Sequence, residues 1–235
     1  MNCKIADLVV EVPATGDLVS RCCEYLYEGN ERTEITISEE EFNLSRWAGL
    51  SVCDSIYMES GFQFSRKVLV HGGVMLHASA VEKDGKAFLF SGPCGVGKST
   101  HTRIWKNINN DEAIIINDDK PILRKIDGVW FAYGTPWCGK DGINENKKIP
   151  LAGICFLGQG ETNSIRKLSP KEALIKMLTQ TNRKFRDKER LDIKLELVDR
   201  LIRDIPIYEL TNNATLESAM LSYETMRRGA EEAGL

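Results

Sequence analysis

The stretch Gly92-Pro93-Cys94-Gly95-Val96-Gly97-Lys98-Ser99 constrains this chain more than any other. It fits G-x-x-x-x-G-K-[ST], a pattern that demands a strand, a glycine-rich turn and a helix in that order. Glycines let the backbone curl until successive N–H groups face one anion, and the helix start adds its positive dipole end. The flanks agree: Ala87 to Ser91 is a short apolar and aromatic strand pattern, and Thr100 to Lys106 reads as a helix. The motif therefore predicts a phosphate-binding P-loop made by Gly92, Cys94, Gly95, Val96, Gly97, Lys98, Ser99 and Thr100. Lys98 would reach the outer phosphates of a nucleoside triphosphate, and Ser99 would offer its hydroxyl to Mg²⁺.

Two Asp-Gly pairs lie between apolar runs, the strongest short-range hairpin signal. Asp84-Gly85 joins Val74–Val81 to Ala87–Ser91. A two-residue turn there pairs Val81 with Phe88 and carries His77 opposite Gly92. Asp127-Gly128 joins Ile122–Ile126 to Val129–Tyr133. Continued past its strands, that register sets Pro136 opposite Asp119 and Trp137 opposite Asp118, with Pro121 and Pro136 fraying the end.

Asp118 and Asp119 close the apolar run Ile114 to Asn117. Neighbours on an extended chain point to opposite sides, so the pair divides its work. One acid faces Mg²⁺ and the other an attacking hydroxyl. His77 is placed either to donate to a phosphate or to orient an acid. Lys140, in the loop Gly134 to Lys140, is either a stabilising charge for the transferred group or an exposed lysine. His101 faces the nucleotide or solvent. Trp137 is either a substrate anchor or a core residue, and Asn144 to Lys148 is a lid or peptide-binding loop.

The rest of the chain supplies the frame. Residues 1–65 read as a small α/β lobe, with strands at Leu8–Val12 and Thr33–Ile37, a short helix or strand at Leu18–Leu26, and a capping box at Ser38–Glu41 opening a helix. Residues 66–235 form the nucleotide-binding domain. Within it fall a strand at Ile149–Leu157, a helix opened by Ser169-Pro170-Lys171-Glu172, a charged helix at Asp187–Arg203, a strand at Ile205–Leu210 and a last helix from Leu216 to Ala233. The fold class is α/β with a mixed sheet.

At 42% apolar and 28% charged residues, the 235-residue chain has a soluble globular composition. A net charge of −3 and no basic aromatic platform argue against a nucleic-acid partner. The longest uncharged stretch, Val68 to Val81, is too short to span a bilayer, and Asp7 interrupts the opening apolar run where a secretory leader needs continuity. Seven cysteines with no C-x-x-C spacing fit reduced thiols in the cytoplasm. A homo-oligomer is compatible with all of this.

In order and spacing, His77, the hairpin, Gly92 to Ser99 and Asp118-Asp119 resemble the catalytic domain of HPr kinase/phosphorylase, whose fold is related to the nucleotide domain of phosphoenolpyruvate carboxykinase. The resemblance covers roughly residues 70 to 160. It implies an ATP- and Mg²⁺-dependent kinase in which Asp119 accepts the proton of a serine hydroxyl, His77 supports it, and Lys98, Ser99 and Asp118 serve the phosphates and the metal. The chain departs from the family at Thr100, where the family has Glu, and it has no counterpart of the later Glu-Ile-Arg-Gly signature. The acceptor thus becomes a hydroxyl of a protein, a peptide or a small molecule. A carboxykinase-like enzyme and a non-catalytic nucleotide sensor are the alternatives.

Overall fold

In a computed structural model, residues 1–108, 113–181 and 187–235 are described. The chain opens with β1 (Asn2–Ile5) and β2 (Leu8–Glu11), an antiparallel pair to which the two-residue β3 (Ile35–Thr36) adds in parallel. Between β2 and β3 lies the short helix α1 (Leu18–Arg21) with a 3₁₀ turn behind it, so the Leu18–Leu26 segment is helical. Ser38–Glu41 does not open a helix. Glu39–Glu41 makes one 3₁₀ turn without a side-chain cap. The groups a capping box needs are engaged elsewhere: the Ser38 N–H donates to Gln63 and Glu41 pairs with Lys67.

Both of those partners sit on α2 (Val52–Lys67), a helix whose buried face is largely polar: Ser55, Glu59, Ser60, Gln63 and Ser65 line it beside Phe64. Buried polar groups need partners. Glu59 receives Arg46 and the Trp47 indole N–H, and Ser60 receives the Trp137 indole N–H at 3.0 Å. Phe64 stacks on Trp137 with centroids 4.7 Å apart. Trp137, fully buried, is thus a core residue, not a substrate anchor.

The main sheet runs β4 (Gly73–Met75), β8 (Ile122–Ile126), β9 (Val129–Tyr133), β10 (Lys148–Gln159), β6 (Lys86–Ser91), β5 (Ala78–Lys83) and β7 (Ile114–Asp119). The twelve-residue β10 is the joint. Its first residues pair antiparallel with β9; its remainder runs parallel to β6 on one side and to β12 (Ile207–Asn212) on the other. β11 (Ser164–Lys167) adds to β12 antiparallel. The sheet is therefore mixed and curled.

Both Asp-Gly hairpins form in the expected register, Val81 facing Phe88 and Ile126 facing Val129. Asp84 and Asp127 adopt φ of 54° and 49° beside glycines at 71° and 86°, the two left-handed residues that a type I′ turn requires. The Val74–Val81 run is not one strand. It breaks at Leu76 and His77, because the end of α4 (Pro170–Gln180) intrudes: the His77 N–H donates to the Gln180 carbonyl, and Leu76 bridges Thr181.

The central strands β6 and β10 alternate between two of the three buried clusters, and β4, β8 and β9 turn Met75, Ile122 and Tyr133 to the third, with Phe64 of α2. On one face, Leu89, Ile154 and Phe156 pack with Met177 of α4 and with Val198 and Leu201 of α5 (Lys188–Asp204). On the other, Phe88, Phe90 and Cys155 pack with Trp105 of α3 (Lys98–Lys106) and Met226 of α6 (Leu216–Glu232). The capping box at Ser169 is complete, with both reciprocal bonds to Glu172 made. No helix among the described residues is long and apolar enough to cross a membrane.

Candidate functional site

The site is built where β6 ends, α3 begins and β7 ends. β6 runs into the glycine loop, and α3 leaves it with Gly97 at its N-terminal boundary in a left-handed conformation. Gly92, Gly95 and Gly97 have φ of 149°, 79° and 101°, values that a side chain would strain. A Cβ on Gly92 would meet Val96 at 3.0 Å and the Leu157 carbonyl at 3.2 Å, so the end of β10 floors the loop. Cys94, Gly95 and Thr100 are exposed; Val96 and Ser99 are half-buried. The buried Lys98 folds back, its Nζ donating to the carbonyls of Gly92 and Pro93, each at 3.1 Å. Burial lowers its pKa against the pull of Asp119.

The acids come from the neighbouring antiparallel strand: Ser79 pairs with Asp118 and Ala78 with Asp119. Asp118 turns toward α3. It is buried and hydrogen-bonded by the hydroxyls of Ser79 and Ser99, yet burial outweighs those bonds and raises its pKa. Ser79 is tied in turn to Thr102 of α3 at 2.9 Å. Asp119 turns the other way. Its Oδ1 lies 3.3 Å from His77 Nε2, and its Oδ2 pairs with Lys120. His77 Nδ1 meets Gln180 Oε1 at 3.1 Å, so the ring is held from both sides. Burial and the Lys98 charge push the His77 pKa below its usual value. The break between β4 and β5 is what frees this ring to reach Asp119.

The loop after β9 closes over the acids, but through a different residue from the one the extended hairpin register predicts. Gly139, rather than Pro136 or Trp137, lies on them. A Cβ there would stand 2.9 Å from the Asp118 carbonyl and 3.2 Å from the Asp119 Cβ. Gly139 is held by two residues absent from the sequence reading: its N–H donates to Tyr57 Oη at 3.0 Å, and its carbonyl accepts from Arg21 at 2.8 Å. Neither sits in a recognisable motif, so no sequence signal marks them. Lys120 was equally unmarked, although a cation directly following an acid pair was the available clue.

Other expected residues lie apart. Lys140 is exposed, and among the described residues it has no hydrogen bond or ion pair. His101 faces neither nucleotide nor solvent. It is buried against Phe90 and Ser222, and burial lowers its pKa to about 4. The Asn144–Lys148 stretch is not a lid. Asn144 bridges Asn117, Glu145 donates its N–H to the Ile116 carbonyl, and Lys148 enters β10 and pairs with Asp7.

A hydroxyl and a carboxylate side by side, next to a buried ammonium, are hard oxygen donors of the kind Mg²⁺ accepts. No group of three or more His, Cys, Asp or Glu among the described residues could hold a metal on protein ligands alone. Ser99 and Asp118 are the two oxygen donors in contact at this point of the site.

A family model described as SynChlorMet cassette protein ScmC matches residues 56–217, a span that holds the glycine loop, both acids and His77. The chain belongs to that family. A search of curated proteins finds no match. Among solved structures, the HPr(Ser) kinase/phosphatase from Coxiella burnetii is similar at 11% identity and a TM-score of 0.38, covering 67% of this chain and 90% of that one. A likeness that faint assigns no role to any residue of this ScmC-family chain.

Proposed function

We propose that this chain is an ATP- and Mg²⁺-dependent kinase that transfers the γ-phosphoryl group to a hydroxyl acceptor, most simply a serine of a peptide or protein. One observation carries this reading. The glycine loop with Lys98, the Ser99–Asp118 contact and the Asp119–His77 pair converge at one end of the sheet. Phosphoryl transfer asks for positioning and charge more than for covalent chemistry, and these are its parts.

The residues divide the work as follows. The loop amides and Lys98 hold the triphosphate, Lys98 exchanging its two loop carbonyls for phosphate oxygens. Ser99 and Asp118 would hold Mg²⁺, which would supply positive charge to neutralise the phosphates. Asp119 accepts the proton of the attacking hydroxyl. His77 holds the Asp119 carboxylate in place through Nε2, and burial with the nearby Lys98 charge lowers its pKa. Lys120 pairs with Asp119 directly and fixes the position of its other oxygen.

Incubation with γ-labelled ATP, Mg²⁺ and serine peptides is the test. Transfer by the wild-type chain, lost in Lys98→Ala and in Asp119→Asn, is the expected result. Undiminished transfer by either variant, or none by the wild type with any acceptor, would overturn the reading.

A further inference from the structure

Beside Asp119, on the side away from the glycine loop, a cleft of about 270 Å³ opens between α2, the β4–β5 break and the end of α4. Its wall is mostly apolar: Trp47, Met58, Phe62 and Met75 line it. Its polar lining is Ser65, Thr179, Gln180 and Thr181 together with His77 and Lys120, the two side chains that touch Asp119. Among the described residues no carboxylate lines it, and the Lys120 ammonium is already paired with Asp119.

We propose that this cleft is the acceptor subsite, and that it seats an uncharged aromatic or long aliphatic group flanking the hydroxyl to be phosphorylated. The inference rests on the kinase reading above and adds the class of substrate. Its size, below that of most pockets for drug-sized ligands, suits one side chain rather than a whole cofactor. Its polarity runs in one direction: an apolar group fills the outer wall while the attached hydroxyl is delivered past His77 and Lys120 to Asp119. A charged group seated against Trp47, Phe62 and the methionines would lose its water, and the Phe62 ring is already covered by Arg46 and Arg66, so an uncharged neighbour is favoured. The triphosphate and the acceptor then approach the acid pair from opposite sides, Asp118 facing one and Asp119 the other, as in-line transfer needs.

Trp47 makes the test independent of catalysis. It lines the cleft, while Trp105, Trp130 and Trp137 are all buried. Titration of the full chain with N-acetyl-seryl-phenylalanine amide should change Trp47 fluorescence saturably, and a Trp47→Phe variant should lose the change. The seryl-aspartate and seryl-lysine analogues should bind at least about tenfold more weakly. Met58→Phe, which fills the cleft, should weaken the phenylalanine peptide, and Met58→Lys should bring the aspartate peptide up to or above it. An absence of saturable binding, equal binding of the three peptides, or indifference to both Met58 variants would overturn the subsite whatever the activity. Selective binding without label transfer would instead leave the subsite standing and overturn the kinase reading.

Discussion

The residues of the acid pair are set apart by what surrounds them. Asp118 lies among hydroxyls and Asp119 between two bases, and the period of an extended strand alone sends them to opposite sides. Their adjacency and their place at a strand end are legible in the sequence. Lys120 is not, because one cation next to two acids reads as a solvated turn. Lys120→Met should leave the fold intact and lower label transfer roughly 10- to 100-fold through a misplaced Asp119, with the KM for ATP unchanged. His101 carries a different expectation. Its pKa of about 4 in the fold, against 6.5 when unfolded, means the unfolded chain takes up its proton first as pH falls. Stability is therefore lost between pH 6.5 and about 4, on the order of 3 kcal/mol from this ring. Urea unfolding across that window should show the loss in the wild type and a shallower pH slope in His101→Leu.

Elements differ in how openly they are written. The two hairpins are legible because strict alternation and an Asp-Gly turn fix both strand and register. Helix α2 is not, because its inward face is Ser55, Glu59, Ser60, Gln63 and Ser65, and helical periodicity is sought in apolar residues. Its burial depends on Arg46, Trp47 and Trp137, partners that only the tertiary fold brings together. The capping box at Ser38 fails for the same kind of reason, since Gln63 and Lys67 of that unread helix take its groups, while the one at Ser169 has no such competitor. Within the glycine loop the structure separates two costs. Gly92→Ala meets both a left-handed φ and the Leu157 carbonyl and should cost about 2 to 3 kcal/mol. Gly95→Ala, with open space around it, should cost only about 1 kcal/mol of backbone strain. The shift of the urea midpoint in each variant checks the ranking.

At the scale of the molecule, the first strands and α1 are part of the site's scaffold. Arg21 reaches from α1 to the Gly139 carbonyl and the Cys138 thiol, and its guanidinium lies 4.6 Å over the Tyr57 ring. Segments far apart in sequence thus press Gly139 onto the acids. Arg21→Ala should lower phosphoryl transfer by more than its loss of stability explains, that loss being about 1 to 2 kcal/mol, as denaturation and rate measurements on one preparation would show. Nothing in the first sixty residues announces this, because a single arginine at a helix end is ordinary. The bifurcated strand β10 has a consequence of another kind. It gives β6 its parallel neighbour and the glycine loop its floor, and it is itself flanked by β12, some fifty residues further along the chain. Contacts so distant in sequence form slowly. As the chain emerges during synthesis, the glycine loop is made long before its seat: it has no floor until β10 follows, and that floor has no flank until β12 follows.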